Sequence, residues 1–187
     1  PSAQTRQGVS ALMVASRLGH AEVKEIVAAD AGVELALWSY LCNVSLIREI
    51  RYERAPTTSL IRLAANDARA VSVNGVWDEL FIRPLDVHAC LTGRAYGASA
   101  SSVTIAITDP LFADNNRTFV ISAEGARPTD AAADITASVT ALGATLLGGR
   151  SWAMQAAIGE AQGSPDALRA ADALFGQHPT PFCGSFF

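Results

Sequence analysis

The chain has 187 residues, half of them hydrophobic, enough for one large domain or two small ones and for a sizeable core. Its net charge is −4, its one lysine is Lys24, and its arginines are scattered. That excludes a basic stripe for nucleic acid and a polybasic membrane anchor, so neither partner is expected.

Taken in chain order, the apolar run Val9–Ala15 and the alternating stretch Ala21–Val27 read as a hairpin around Arg17-Leu18-Gly19-His20. Asp30 reads as an N-cap, and Val33, Ala36, Leu37, Tyr40 and Leu41 follow with the spacing of one buried helical face. Ser45–Glu53 alternates as an outer strand would. After Pro56-Thr57-Thr58-Ser59, Leu60–Ala65 is a short helix. A sheet of two or three strands rarely stands alone in water, so this stretch is expected to be the end of something larger. Beyond Ala70 the texture changes. Val71, Val73 and Val76, then Leu80–Arg83, read as two strands around Asn74-Gly75. Asp86 caps a short helix through Leu91, and Ser102–Thr108, Arg117–Ser122 and Ala133–Ala137 are further strands. Ser138 opens a helix that Gly148-Gly149 stops, and Ser151–Ile158 is another helix. Ser164-Pro165-Asp166 starts a last one through Phe175. Strands followed by helices predict an α+β sandwich, with helices on one face of a mainly antiparallel sheet.

The C-terminal segment is unusually apolar. Three of the last six residues are Phe182, Phe186 and Phe187. Leaving each ring in water forgoes about 1.5–3 kcal/mol, so the tail is expected to dock. Docking would fix the terminal carboxylate of Phe187, a group ionised at neutral pH and able to attract and deprotonate an amine. The competing reading is that these rings only close a core. Elsewhere, His178 and Cys183 lack a third orienting group for nucleophilic catalysis. His20 and His88 lack ligand spacing, so no metal is expected. Cys42, Cys90 and Cys183 are spaced as free thiols. Gly143 is expected to permit close helix packing. No apolar run reaches the ~18 residues of a membrane span, and the polar opening Pro1–Gly8 has no signal-peptide pattern. A cytoplasmic location is therefore expected, with export lacking a signal peptide left open.

Several segments resemble, in family order, the C-terminal part of the enhanced intracellular survival (Eis) acetyltransferases. These are Ala36-Leu37-Trp38-Ser39-Tyr40-Leu41, the stretch Trp77–Val87, Gly93-Arg94-Ala95-Tyr96, Leu142–Gly149, Asp172-Ala173-Leu174-Phe175, and the final aromatic after Phe182-Cys183-Gly184. The chain departs from the family's usual pattern at Asp78-Glu79 and Val87-His88, both changes of turn chemistry. The resemblance implies that residues 1–70 are the C-terminal part of a second, non-catalytic GNAT-type domain. It implies that 71–187 form a sterol-carrier-like domain ending in a catalytic tail. Phe187 would supply the catalytic carboxylate, with Phe182 and Phe186 docking the tail. No residue here is expected to bind the cofactor: no Arg/Gln-x-x-Gly-x-Gly/Ala loop occurs. By the resemblance, acetyl-CoA would be held by an N-terminal GNAT domain absent from this chain, in the same polypeptide or a separate one. A homo-oligomer, a hexamer in the family, is expected as well.

Two functions follow as expectations. One is N-acetylation of a primary amine (an aminoglycoside, polyamine, lysine or related small molecule), with this half supplying the carboxylate and part of the pocket. The other is a stand-alone sterol-carrier-like module binding an apolar ligand or a partner subunit without catalysis.

Overall fold

The computed structural model describes residues 2–4, 10–15, 20–78, 80–99 and 101–183. Contacts divide the chain into two compact units, Pro1–Glu79 with Phe182–Phe187, and Leu80–Pro181. The division thus falls after Glu79, whereas the change of sequence texture lies near residue 70.

The first unit is a four-stranded sheet of order β1-β2-β3-β4. β1 (Ser2–Gln4), unanticipated from sequence, β2 (Ser10–Ala15) and β3 (His20–Val27) are antiparallel neighbours. The turn expected between β2 and β3 lies, as far as Gly19, outside the described residues. β4 (Glu49–Tyr52), shorter than the predicted Ser45–Glu53, pairs with β3 in parallel. A parallel pair needs a crossover, and α1 (Ala31–Cys42) supplies it. Asp30 caps α1 by accepting a hydrogen bond from the Val33 N–H at 2.9 Å. The helix buries Leu37, Trp38 and Leu41, while Tyr40 and Ala36, expected inside, are exposed. The face is turned so that the indole, the largest apolar side chain of the helix, goes inward against Ala21 and Val23 of β3. The Trp38 and Tyr52 rings sit 6.0 Å apart. The Tyr52 hydroxyl accepts from the Ile26 N–H at 3.2 Å. Glu34 of α1 accepts from Ser59 Oγ and the Leu60 N–H, each at 2.9 Å, and so fixes the start of α2 (Ile61–Ala64).

From 71 to 86 the described chain forms no strand. The two strands read around Asn74-Gly75 are therefore not present. Apolar residues of high β-propensity occur there, but strand propensity takes effect only where a neighbouring strand and a buried face exist.

The second unit is a five-stranded sheet of order β7-β6-β5-β8-β9. β5 (Val103–Thr108), β6 (Thr118–Ser122) and β7 (Gly125–Pro128) run as an antiparallel meander. β8 (Ile135–Ser138) returns to the other side of β5 and pairs in parallel, and β9 (Ala161–Gly163) adds antiparallel to β8. Around it lie α3 (Val87–Thr92), α4 (Val139–Thr145), α5 (Trp152–Ala157) and α6 (Pro165–Phe175). Alternate residues of β5 and β6 (Val103, Ile105, Ile107, Phe119 and Ile121) are buried, as the period of two requires of a sheet covered on one face. They share one cluster with Val87, Leu142, Trp152, Leu174 and Phe175 of the helices. Each such side chain contributes about 1.5–3 kcal/mol by leaving water. The fold class is α+β, with a mixed, mainly antiparallel second sheet. Gly143 does allow a close approach, though not to a helix: a Cβ there would lie 2.6 Å from the Ile82 carbonyl oxygen.

Candidate functional site

Of the residues expected to act at the C-terminus, Phe186 and Phe187 lie outside the described residues. Phe182 is half-exposed. What the structure places in detail is the root of the tail, where α6 ends.

The guanidinium of Arg94 donates from Nη2 to the Phe175 carbonyl at 3.0 Å and from Nη1 to the Leu146 carbonyl at 2.7 Å. One cation thus satisfies the C-terminal carbonyls of both α6 and α4, where the helix dipoles favour positive charge. The guanidinium also lies over two rings, 4.4 Å from the centroid of Phe175 and 4.8 Å from that of Tyr96. Burial lowers the Arg94 pKa, with the nearby Tyr96 acting in the opposite direction, and arginine stays charged regardless. The Tyr96 hydroxyl donates to the Leu91 carbonyl at 2.7 Å, and burial pushes its pKa upward. Two glycines complete the clamp. Gly97 donates its N–H to the Leu174 carbonyl at 2.8 Å. Gly148 has a φ of +80°, and a Cβ there would stand 2.4 Å from the Phe175 carbonyl oxygen and 2.9 Å from the Gln177 nitrogen. The tail therefore leaves from a fixed point. Sequence reading quoted Gly93-Arg94-Ala95-Tyr96 only as a likeness and missed this role. The available signal was an arginine set between a glycine and an aromatic in an otherwise apolar stretch.

A second polar network sits where the chain enters α3. Arg83 Nη2 meets Asp109 Oδ1 at 2.6 Å, and the Asp109 side chain is fully buried. Burial alone would raise the Asp109 carboxyl. Hydrogen bonds from Asn115 Nδ2, from the Leu111 and Phe112 N–H groups and from Arg83 outweigh it and hold the pKa at about 2. Asn115 in turn accepts from the Val87 N–H at 3.0 Å and donates to the Leu85 carbonyl at 3.2 Å.

The histidines have other partners than ligands. His20 Nδ1 lies 2.8 Å from Glu49 Oε2, and His88 stacks on Phe119. His178 is exposed. Among the described residues no three His, Cys, Asp or Glu side chains gather as a metal site would need, and no helix is long and apolar enough to cross a membrane. Two shallow depressions are present. One, of about 330 Å³, lies beside Met154 and Ile158; the other, of about 200 Å³, lies beside Gly148, Asp172 and Phe175.

A pyrophosphate held in the usual way needs free backbone N–H groups at a helix start. Among the described residues these starts are filled: Asp30, Asp86, Ser138, Ser151 and Ser164 each cap their own helix, and Glu34 covers the Leu60 N–H. The described residues thus do not fit that group at a helix start.

The model of the sterol carrier protein domain family matches residues 87–184, and that of the acetyltransferase (GNAT) domain matches 3–83. The match to a GNAT-type domain thus begins within this chain at residue 3, and the expected placement of acetyl-CoA in a domain outside the chain gains no support from it. A Streptomyces griseus protein named an uncharacterized N-acetyltransferase is 33% identical over 173 residues, 91% of this chain and 42% of its own length. One from Streptomyces avermitilis is 31% identical over 170 residues, 89% of this chain and 41% of its own. The chain thus spans about two fifths of the length of these curated relatives. Among solved structures, Eis1 from Mycobacterium abscessus is similar with a TM-score of 0.87 and 31% identity, over 98% of this chain and 50% of its own. A GCN5-related N-acetyltransferase from Anabaena variabilis shares the fold, with a TM-score of 0.72 and 14% identity, over 96% of this chain and 47% of its own.

Proposed function

Since the chain belongs to the sterol carrier protein domain family, with an acetyltransferase-type domain before that match, we propose that it serves acyl transfer to a primary amine. The chain stands in this reading as the C-terminal part of an Eis-like N-acetyltransferase, and acetyl-CoA is the donor. The observation that carries the reading is the clamped root of the tail. Arg94, Gly97 and Gly148 fix the point from which residues 176–187 depart, which a carboxylate needing accurate placement requires. Phe182, half-exposed in the described chain, and Phe186 dock the tail.

The terminal carboxylate of Phe187 has an ordinary pKa of ~3.3–3.7 and is ionised at neutral pH. It draws in the substrate ammonium and accepts one of its protons. The freed nitrogen lone pair then attacks the thioester carbonyl, a C–N bond forms, the C–S bond breaks, and the second proton shed by the nitrogen passes to the leaving thiolate. The substrate is a small amine: an aminoglycoside, a polyamine, lysine or a relative of these.

The test is to append one residue to the full-length enzyme, or to amidate its terminus. A positioned base accounts for roughly 10²–10⁴ in rate, so kcat is expected to fall by about that factor with KM for acetyl-CoA kept. Phe187→Leu, which retains the carboxylate, is expected to be much milder than deletion. An extended enzyme with unchanged kcat would leave the tail as a core plug only.

A further inference from the structure

The clamp at Phe175 fixes where the tail starts, but Phe187 lies eleven residues beyond Gly176. A flexible chain of that length spans about 17–20 Å, at ~5–6 Å times the square root of its length. A base acts only within ~2.6–3.2 Å of the proton it takes, so a second fixed point is needed nearer the end. Among the described residues 176–182, Thr180 alone is not exposed. The glycine pair after α4 lies against it. The tail first crosses Gly148, where a Cβ would lie 2.7 Å from Gln177 Cγ and 2.9 Å from the Gln177 nitrogen. It then crosses Gly149, where the atom nearest to a Cβ would be the Thr180 methyl, Cγ2, at 3.6 Å. Pro179 and Pro181 flank Thr180 and hold their own φ near −65°, so the methyl is carried on a stiff stretch of backbone.

We infer that Gly149 and Thr180 are positioning residues for the terminal carboxylate: the Thr180 methyl rests on the bare backbone of Gly149 and sets the direction in which the last seven residues leave. The inference rests on the acyl-transfer reading of the tail, and both residues act through the carboxylate rather than on the substrate. With Thr180 held, the free part shortens from eleven residues to seven and its span to about 13–16 Å, leaving the rings of Phe182 and Phe186 to hold the rest. Gly148 is required by its φ of +80°, whereas Gly149 is required by space alone. At 3.6 Å the contact admits one methyl group on Gly149. A leucine there would carry further carbons into the place of Thr180 and lift the tail.

The test measures kcat and KM of the full-length enzyme with acetyl-CoA and whichever of an aminoglycoside, spermidine and lysine it turns over fastest. Gly149→Leu and Thr180→Ala reach the contact from opposite sides, one by adding volume and one by removing the methyl. Each is expected to lower kcat roughly 10-fold or more, since a misplacement of about 1 Å can cost ~10²-fold. Gly149 is exposed and Thr180 half-buried, so KM for acetyl-CoA and Tm are expected to be kept. Thr180→Val, which retains the methyl, and Gly149→Ala are expected to recover most of the rate. A combined variant shows whether the loss runs through the carboxylate. Appending a residue to the Gly149→Leu enzyme is expected to cost little more than appending it to the wild type, because groups that act as one unit are not additive. Full kcat in either Gly149→Leu or Thr180→Ala overturns the inference, while a slow appended wild type leaves the acyl-transfer reading standing. Additive losses in the combined variant, or losses that appear only with a fall in Tm, overturn it too. If the appended residue changes nothing in the wild type, the acyl-transfer reading fails and the inference with it.

Discussion

At the scale of single residues, the acid that does most to organise its surroundings is Asp109. Its carboxylate receives Arg83, Asn115 and two backbone N–H groups, and the pKa falls to about 2 although burial opposes the charge. In the unfolded chain the same group titrates near ~3.9. The native state thus binds the proton less readily than the unfolded state. The contribution is complete above about pH 4 and is lost as pH falls through about 2. Asp109→Asn keeps the shape without the charge. Its Tm is expected to lie below that of the wild type at pH 7, and the gap is expected to close as pH drops from about 4 to about 2. A gap constant over that range, followed by calorimetry, would contradict the assignment.

Among the elements, α4 and α6 end on the same side chain. Replacing Arg94 by Met keeps much of the packing on Tyr96 and Phe175 but removes both donors to the carbonyls. Hydrogen bonds to a charged group contribute ≈1.5–3 kcal/mol, so a loss of about 2–3 kcal/mol is expected in urea unfolding. Arg94→Lys should recover only part, lacking the fork that spans two acceptors. A variant as stable as the wild type would rule out the clamp. The helices themselves were legible in the sequence because their signals are local: Asp30, Asp86, Ser138 and Ser164 cap where expected, and Ser151, read as the first helical residue, caps α5. Less legible were β1, β7 and β9. β7 contains both Gly125 and Pro128, and β1 and β9 have three residues each, too few to display a period of two. The reverse error, two strands read between Val71 and Arg83, came from propensity without partners. The partners of Arg94 at the tail root were not legible, because it finds its acceptors 52 and 81 residues away, and no spacing rule reaches that far.

For the whole molecule, the boundary after Glu79 is flanked by residues 71–78 and 80–86, which have no regular structure, and exposed backbone of that kind is where proteases cut first. Limited thermolysin digestion is expected to cleave between 71 and 86 and to release a stable fragment that begins there and holds all five strands of the second sheet. Initial cleavage inside Val103–Phe175 would contradict the division. The order of the second sheet has one more outcome, which concerns the chain while it is being made. β5, β6 and β7 are consecutive and complete by Pro128, yet apart from α3 the elements that cover them, from β8 to α6, extend to Phe175. At ~5–20 residues per second the ribosome needs roughly 2–10 s for that span. Throughout it the side chains of Val103, Ile105, Phe119 and Ile121 have α3 as their one helical cover and lack α4, α5 and α6. A nascent meander of this kind is a natural client for holding chaperones, and crowded synthesis would punish it before the finished protein ever faced heat or acid.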